Sequence, residues 1–286
     1  MGARPERGLG APVGRIAGGF FRYLLVVALG LVVLVPILWM VSSSFMRHTE
    51  FFAVPTHWLP DQPNLDAYRK IVVEQPFGRY YLNSIVIAVV VSLSNVLLAA
   101  LTGFAVSNKY SYRGKNAVFA FFLGTMLLPF ELIMIPLYIM MRTLGLLNTY
   151  AAMIIPGLVS AFGVFLLRQT INDIPQDFLD AGRIDGAHEI TLFARVIVPL
   201  SMPVMAALLV FTFVGSWNSY FWPLVVVNSE RLRTLTLAVA YMQGFYSTDY
   251  PLVMAAAVLS SVPIMLVFAF SQRFFIESMT LSGLKG

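Results

Sequence analysis

Residues 178–203, FLDAGRIDGAHEITLFARVIVPLSMP, form a charge-bearing segment set between two long apolar runs. Phe178, Ala181 and Gly182 fall among charged residues at helical rather than strand spacing, and Pro175 is placed as the first residue of a helix, where it has no hydrogen bond to lose. The spacing predicts a helix lying outside the bilayer. Gly186 ends or sharply bends it, because glycine alone adopts left-handed backbone angles cheaply, and a second helical piece then runs to Pro199. The expected local structure is a helix, a bend and a helix.

The rest of the chain explains why such a polar segment needs comment. Of 286 residues, 58% are hydrophobic and only 12% charged, and the mean hydropathy is +0.79. These values exclude an ordinary soluble surface and indicate an integral membrane protein. The net charge of +5 comes without a basic cluster interleaved with aromatics, so it argues for membrane topology and against nucleic acid. No cysteine is present, which removes disulfides, thiol catalysis and cysteine metal sites. The N-terminus resembles a signal peptide in charge, but the apolar run that follows is too long for one and lacks a small-residue cleavage site, so it is expected to stay as a span.

A membrane helix needs ~20 mainly apolar residues. Six such runs occur, at 20–43, 82–107, 117–141, 151–167, 201–227 and 252–272. Pro36, Pro129, Pro136, Pro156, Pro223 and Pro263 lie in five of them and predict kinks, tolerated where neighbouring helices satisfy the freed carbonyls. The fold class expected is an all-α membrane protein of six transmembrane helices. Its parts are an N-terminal segment at 1–19, a six-helix domain at 20–276 and a tail at 277–286.

Counting Lys and Arg on alternating sides gives the orientation. Twelve of the nineteen fall on the side that holds both termini and the 178–203 segment, against seven opposite. Both termini and the bent segment are therefore expected in the cytoplasm. The largest outside connection, 45–81, is rich in proline and aromatics, and within it 64–73, NLDAYRKIVV, reads as a short amphipathic helix.

The bent segment also resembles the cytoplasmic coupling loop of binding-protein-dependent ABC importer permeases. That family's pattern is Glu-Ala-Ala, three residues, Gly, nine residues, then Ile-x-Leu-Pro. Here Asp180-Ala181-Gly182, Gly186 and Val196-Ile197-Val198-Pro199 keep every spacing. Asp stands for Glu, Gly182 for the second Ala, and two valines for Ile and Leu; the glycine weakens the helix by about 1 kcal/mol on propensity. Further pieces resemble the carbohydrate class, the smaller permease of maltose-type and glycerol-phosphate-type importers: Tyr81-Leu82-Asn83-Ser84, Ile135-Pro136-Leu137-Tyr138, Leu144-Gly145-Leu146, Trp217-Asn218, Trp222-Pro223-Leu224 and Leu281-Ser282-Gly283-Leu284-Lys285-Gly286.

The resemblance implies a type I importer permease fold and a prokaryotic cell-membrane location. It implies as partners a second permease completing a heterodimer, two ATPase subunits that bind ATP and Mg, an extracytoplasmic solute-binding protein, membrane lipid and a sugar or sugar-like solute. It places ATPase coupling in a loop at about 172–200 that includes Asp180, Ala181, Gly182, Asp185, Gly186 and Pro199. Asp180 would offer a carboxylate to a basic group on the ATPase, Gly186 would let the turn fit and Pro199 would mark re-entry to the bilayer.

Four residues are candidates for the solute pathway. Glu131 stands alone in an apolar run, at a cost of ~3 kcal/mol if it lies in the bilayer; it either lines a cavity or sits at the interface. Trp217, Asn218 and Tyr220 join Trp222 in an aromatic and amide cluster suited to sugars, which offer apolar C–H faces and hydroxyls. An interfacial aromatic belt is the other reading of that cluster. The tail from Phe274 is either a solvated end or an ATPase contact.

No catalytic chemistry is legible, and no cofactor is expected in this chain. His48, His57 and His188 are spread over both faces, His188-Glu189 lacks the second histidine of a zinc protease, and Gly114-Lys115-Asn116 lacks the features of a phosphate-binding loop. ATP must be hydrolysed elsewhere if it drives the protein. The alternative, an independent secondary transporter, would show matched repeats and intramembrane charges for ion coupling. No repeat is visible and Glu131 is the single such charge.

Overall fold

The computed structural model describes residues 11–243 and 248–283, with side chains over 22–243 and 248–272. The first ten residues of the expected 1–19 segment lie outside this range, as do 284–286 and all side chains of the expected tail with its Leu281 to Gly286 motif.

Helix α4 (Phe77–Ala105) is the axis of the bundle. Ser84, Ala88, Ser92, Asn95, Ala99 and Gly103 recur on it every three or four residues and all are buried. Small residues on one face let backbones approach closely, which is how membrane helices pack without a hydrophobic drive between them. A β-carbon on Gly103 would stand 2.9 Å from the Arg168 amide nitrogen. Helices α8 (Ala161–Asp173) and α11 (Val198–Trp217) occupy this face. In contrast, α1 (Ala11–Ser43) leaves its apolar side chains between Tyr23 and Val41 largely exposed.

Outside the bilayer candidates, α2 (His48–Phe51) precedes α3 (Asp66–Glu74), which fills the place of the expected amphipathic helix and buries Ala67 and Ile71. Asn64 Oδ1 accepts from the Asp66 amide at its start, and Lys70 Nζ reaches Asp249 at 2.9 Å. That carboxylate, by hydrogen bond and charge, holds the Lys70 amine above its ordinary pKa.

The expected third span is broken. Residues 117–141 divide into α5 (Lys115–Met126) and α6 (Phe130–Thr143), bent by 105°. Pro129 is the cause: it lacks an amide hydrogen, crowds the preceding turn and takes an extended ψ of 139° as the cap of α6. Pro136 sits inside α6. The helix ends in a Schellman closure, Gly145 at φ +69° with Leu146 N donating to Met141 O at 2.9 Å.

The expected fourth span starts as α7 (Tyr150–Ile154), tightens into a 3₁₀ turn at Pro156 and continues as α8. Thr149 and Ser160 cap its two pieces by accepting from Ala152 N and Gly163 N.

The bent segment supplies α9 (Gln176–Ile184) and α10 (Glu189–Leu192), and α10 passes through a π-helical turn, Phe193–Ile197, directly into α11. Pro199 does not close the second arm, contrary to expectation: the π turn opens the hydrogen-bond ladder just where the proline would otherwise clash. The fifth apolar helix therefore runs Glu189–Trp217 and stops ten residues before the expected end at 227. After a break, α12 (Phe221–Val226) and α13 (Leu235–Met242) lead to α14 (Tyr250–Gly283), which keeps Pro263 inside. Among the described residues, five helices are long and apolar enough to cross a membrane, or six if the bent α5–α6 pair is one span.

Candidate functional site

Two features stand out, at opposite ends of α11. The first is the elbow between α9 and α10. Pro175 caps α9 and does not begin it, with ψ 138°. At the far end Asp185 is the C-cap and Gly186 follows at φ +79°. Gly186 N donates to Arg183 O at 3.0 Å, and Ala187 N to Gly182 O at 2.9 Å. These two bonds are a Schellman closure, so the chain reverses sharply at the glycine that the spacing singled out.

The inner face of the elbow is packed. Leu179, Leu192, Phe193 and Ile197 are buried in one cluster with Phe104, Leu167, Ile171 and Ile174. Gly182 lies over Leu192 and leaves no room for a β-carbon. The outer face is open. Ala181, Asp185, Gly186 and His188 are exposed, and Ile184 and Ile190 are 86% and 82% exposed. Two isoleucines so uncovered, on either side of a fixed reversal, make a small projecting apolar knob.

Asp180 is exposed but not free. Its Oδ1 accepts from Gln176 Nε2 and from Arg183 Nη1, each at 3.1 Å. Arg183 Nε also donates to Glu189 Oε1 at 3.1 Å, and the Tyr110 hydroxyl donates to Glu189 Oε2. Burial, together with the Glu189 carboxylate, pushes the Tyr110 phenol well above its ordinary pKa. Pro199, exposed, is the second residue of α11 in the continuing helix.

The second feature is a cavity of about 470 Å³ between α4, α8, α11 and α12. Phe130, Phe162, Phe211 and Trp222 give it aromatic walls, while Asn95, Ser160, Thr212, Ser216 and Ser219 supply polar groups. Among the described residues, no ionisable side chain lines it. Asn95 is already engaged, donating to Gly157 O and accepting from Ser160. Such a surface can hold an uncharged polyhydroxylated molecule by stacking and by hydroxyl contacts.

The structure separates the four pathway candidates from this lining. Trp217 is 2% exposed, stacks on Phe213 and donates from Nε1 to Ser260 O at 3.1 Å. Asn218 caps the end of α11 and is exposed, and Tyr220 is half-buried against Phe221. Glu131 is exposed in the first turn of α6, next to the lining residue Phe130. Thr212 and Ser216 line the cavity from α11 and Ser219 from the break that follows it, so Trp217 and Asn218 fall between lining residues in the chain. Thr212, Ser216 and Ser219 recur at steps of four and three, a polar stripe that was readable in the sequence.

Comparisons with known proteins agree with this geometry. Residues 95–281 match the family described as binding-protein-dependent transport system inner membrane component. The chain is 34% identical to the arabinooligosaccharides transport system permease protein AraQ of Halalkalibacterium halodurans, over 88% of this chain and 91% of that one. It is 36% identical to the lactose transport system permease protein LacG of Rhizobium radiobacter, over 69% and 72%. It is 30% identical to the sn-glycerol-3-phosphate transport system permease protein UgpE of Brucella abortus, over 89% and 94%. A chain from a bacterial ABC transporter involved in the import of the acidic polysaccharide alginate superposes with a TM-score of 0.80, covering 95% of this chain and all of that one at 23% identity. At that identity the likeness is one of fold.

Proposed function

The chain belongs to the binding-protein-dependent transport system inner membrane component family and is a multi-pass permease of the cell membrane, and we propose that the α9–α10 elbow is the lever through which a separate ATPase drives it. The carrying observation is the Schellman-closed elbow at Gly186 that projects Ile184 and Ile190. A bare, rigid knob on a polar segment suits insertion into a cleft on another subunit. From the elbow a continuous helix runs through the π turn into α11, whose far half walls the cavity. Tilting of the elbow therefore moves the wall.

On this reading the chain pairs with a second permease, the pathway lies between the two, and two ATPase subunits hold ATP and Mg on the cytoplasmic side. Both termini and the elbow lie on that side, as the excess of Lys and Arg supports. An extracytoplasmic protein delivers the solute. The aromatic and hydroxyl lining, with three relatives named for transport of arabinooligosaccharides, lactose and glycerol phosphate, supports a sugar or sugar-like solute. Asp180 acts within the elbow, where Arg183 and Gln176 already hold it, and the ATPase contact falls to Ile184 and Ile190.

The test is co-purification of the ATPase with the Ile184→Asp/Ile190→Asp double variant. Each isoleucine removed from a buried contact forfeits about 1.5–3 kcal/mol, so association is expected to fall at least a hundredfold while the two permeases still assemble. Unchanged association and transport would overturn the lever.

A further inference from the structure

The elbow turns on a glycine, and glycine populates positive and negative φ about equally. A Schellman closure fixes the turn but leaves the two arms with no side-chain stop at Gly186 itself. Something else must set the angle between α9 and α10.

The connection between α4 and α5 is placed to do so. Its first part grips the end of α8: Arg168 Nε donates to Val106 O at 2.9 Å, Asn108 N to Asn172 Oδ1 at 2.7 Å, and Lys109 Nζ to the carbonyls of Asn172 and Ile174. A lysine on the last carbonyls of a helix satisfies acceptors that have no partner within it. The next residue, Tyr110, turns to the elbow. Its ring packs edge-on against Phe104 with centroids 5.0 Å apart, and the Arg183 guanidinium lies 5.7 Å from its centroid. Its hydroxyl donates to Glu189 on the second arm, whose other carboxylate oxygen accepts from Arg183 on the first. One carboxylate thus joins both arms to a third element that belongs to neither.

We infer that Tyr110 is a positioning residue that clamps the elbow at its working angle, through Glu189 and Arg183, so that motion imposed on the knob reaches α11 without being absorbed as flexing at Gly186. This rests on the lever reading above. Asp180 completes the chain of contacts by holding Arg183 at 3.1 Å. Each ion pair here is partly exposed and weak when isolated; their convergence on Tyr110, anchored by Phe104 and Lys109, gives the clamp its stiffness.

The chain has no cysteine, so engineered thiols in it react alone. In the complete transporter, reconstituted with its ATPase, second permease and binding protein, Tyr110→Phe is expected to assemble and to hydrolyse ATP within about twofold of the parent, while solute moved per ATP falls at least fivefold. Glu189→Ala should do the same, and the double variant should be no worse than Glu189→Ala. In Tyr110→Cys/Glu189→Cys, joining the two thiols with o-phenylene-bismaleimide should restore solute moved per ATP.

Normal coupling in Tyr110→Phe would overturn the clamp, as would a parallel loss of assembly and hydrolysis, which marks a purely structural role. A cross-link that blocks transport would overturn it too, since the clamp would then have to open during the cycle. Failure of the parent chain to retain the ATPase would sink the lever reading itself, and that outcome is separate from all of these.

Discussion

A β-carbon placed on Gly182 would stand 2.5 Å from Leu192 Cδ2. The two residues lie on opposite arms of the elbow, and Leu192 is buried at its inner face. Where the Glu-Ala-Ala pattern has its second alanine, the first arm here carries no β-carbon, and Leu192 of the second arm occupies that space.

This close approach predicts a coupling between the two positions. Gly182→Ala gains about 1 kcal/mol of helix propensity but overpacks a filled site at a cost of about 1–3 kcal/mol, so the variant is expected to be less stable or, at best, unchanged. Leu192→Val alone loses packing, at about 1 kcal/mol. The double variant should be more stable than the sum of the two by about 1 kcal/mol, because valine withdraws the methyl that the new β-carbon meets. Thermal unfolding of the purified complex measures all three. Strict additivity would show that the arms are not in contact.

How much of this was legible follows from what each signal depends on. Gly186 was readable because a bend between two helical stretches needs a residue at positive φ, and that is a local matter. The six apolar runs were readable from composition and a kink at Pro129 from the proline itself, but the size of the bend, 105°, was not, because apolar residues continue on both sides of it. Pro199 misled because a proline ends a regular helix, whereas here a π turn over Phe193–Ile197, with Phe193 and Ile197 buried, precedes it and the helix continues. The Tyr110 to Glu189 contact joins positions 79 apart and leaves no trace in spacing.

The cavity gives a second prediction, which separates a lining residue from its neighbour. Ser216 lines the cavity, whereas Trp217, one residue on, faces away and donates to Ser260 O. A hydrogen bond to an uncharged solute hydroxyl contributes about 0.5–1.5 kcal/mol. Ser216→Ala with Ser219→Ala is thus expected to raise the apparent KM for transport severalfold and to leave thermal stability within about 0.5 kcal/mol. Trp217→Ala should do the reverse, costing about 3–5 kcal/mol of stability through the void it leaves. Transport kinetics and thermal unfolding on the same preparations decide the matter, and a KM effect confined to Trp217 would move the pathway to the other face of α11.

The last prediction concerns the end of the bundle away from the elbow. Asn83, 1% exposed near the start of α4, is held by three partners. Its Nδ2 donates to Arg231 O at 2.9 Å and to Arg233 O at 2.8 Å, and its Oδ1 accepts from the Tyr150 hydroxyl at 2.5 Å. It thereby ties α4 to the start of α7 and to the chain that follows α12. Asn83→Leu keeps the volume but removes three part-buried hydrogen bonds, each contributing about 0.5–1.5 kcal/mol, so a loss of about 2–4 kcal/mol is expected. Asn83→Asp keeps the acceptor for Tyr150 but turns a carboxylate on two carbonyls, adding repulsion to the lost donors, so it should be at least as damaging. Tyr150→Phe strands Asn83 Oδ1 alone and should cost about 1 kcal/mol. The order to be measured by thermal unfolding is Tyr150→Phe mildest, then Asn83→Leu, then Asn83→Asp. Were Asn83→Leu no worse than Tyr150→Phe, the two backbone carbonyls would have found water, and the region after α12 would be held by its apolar contacts through Leu235 and Trp222 instead.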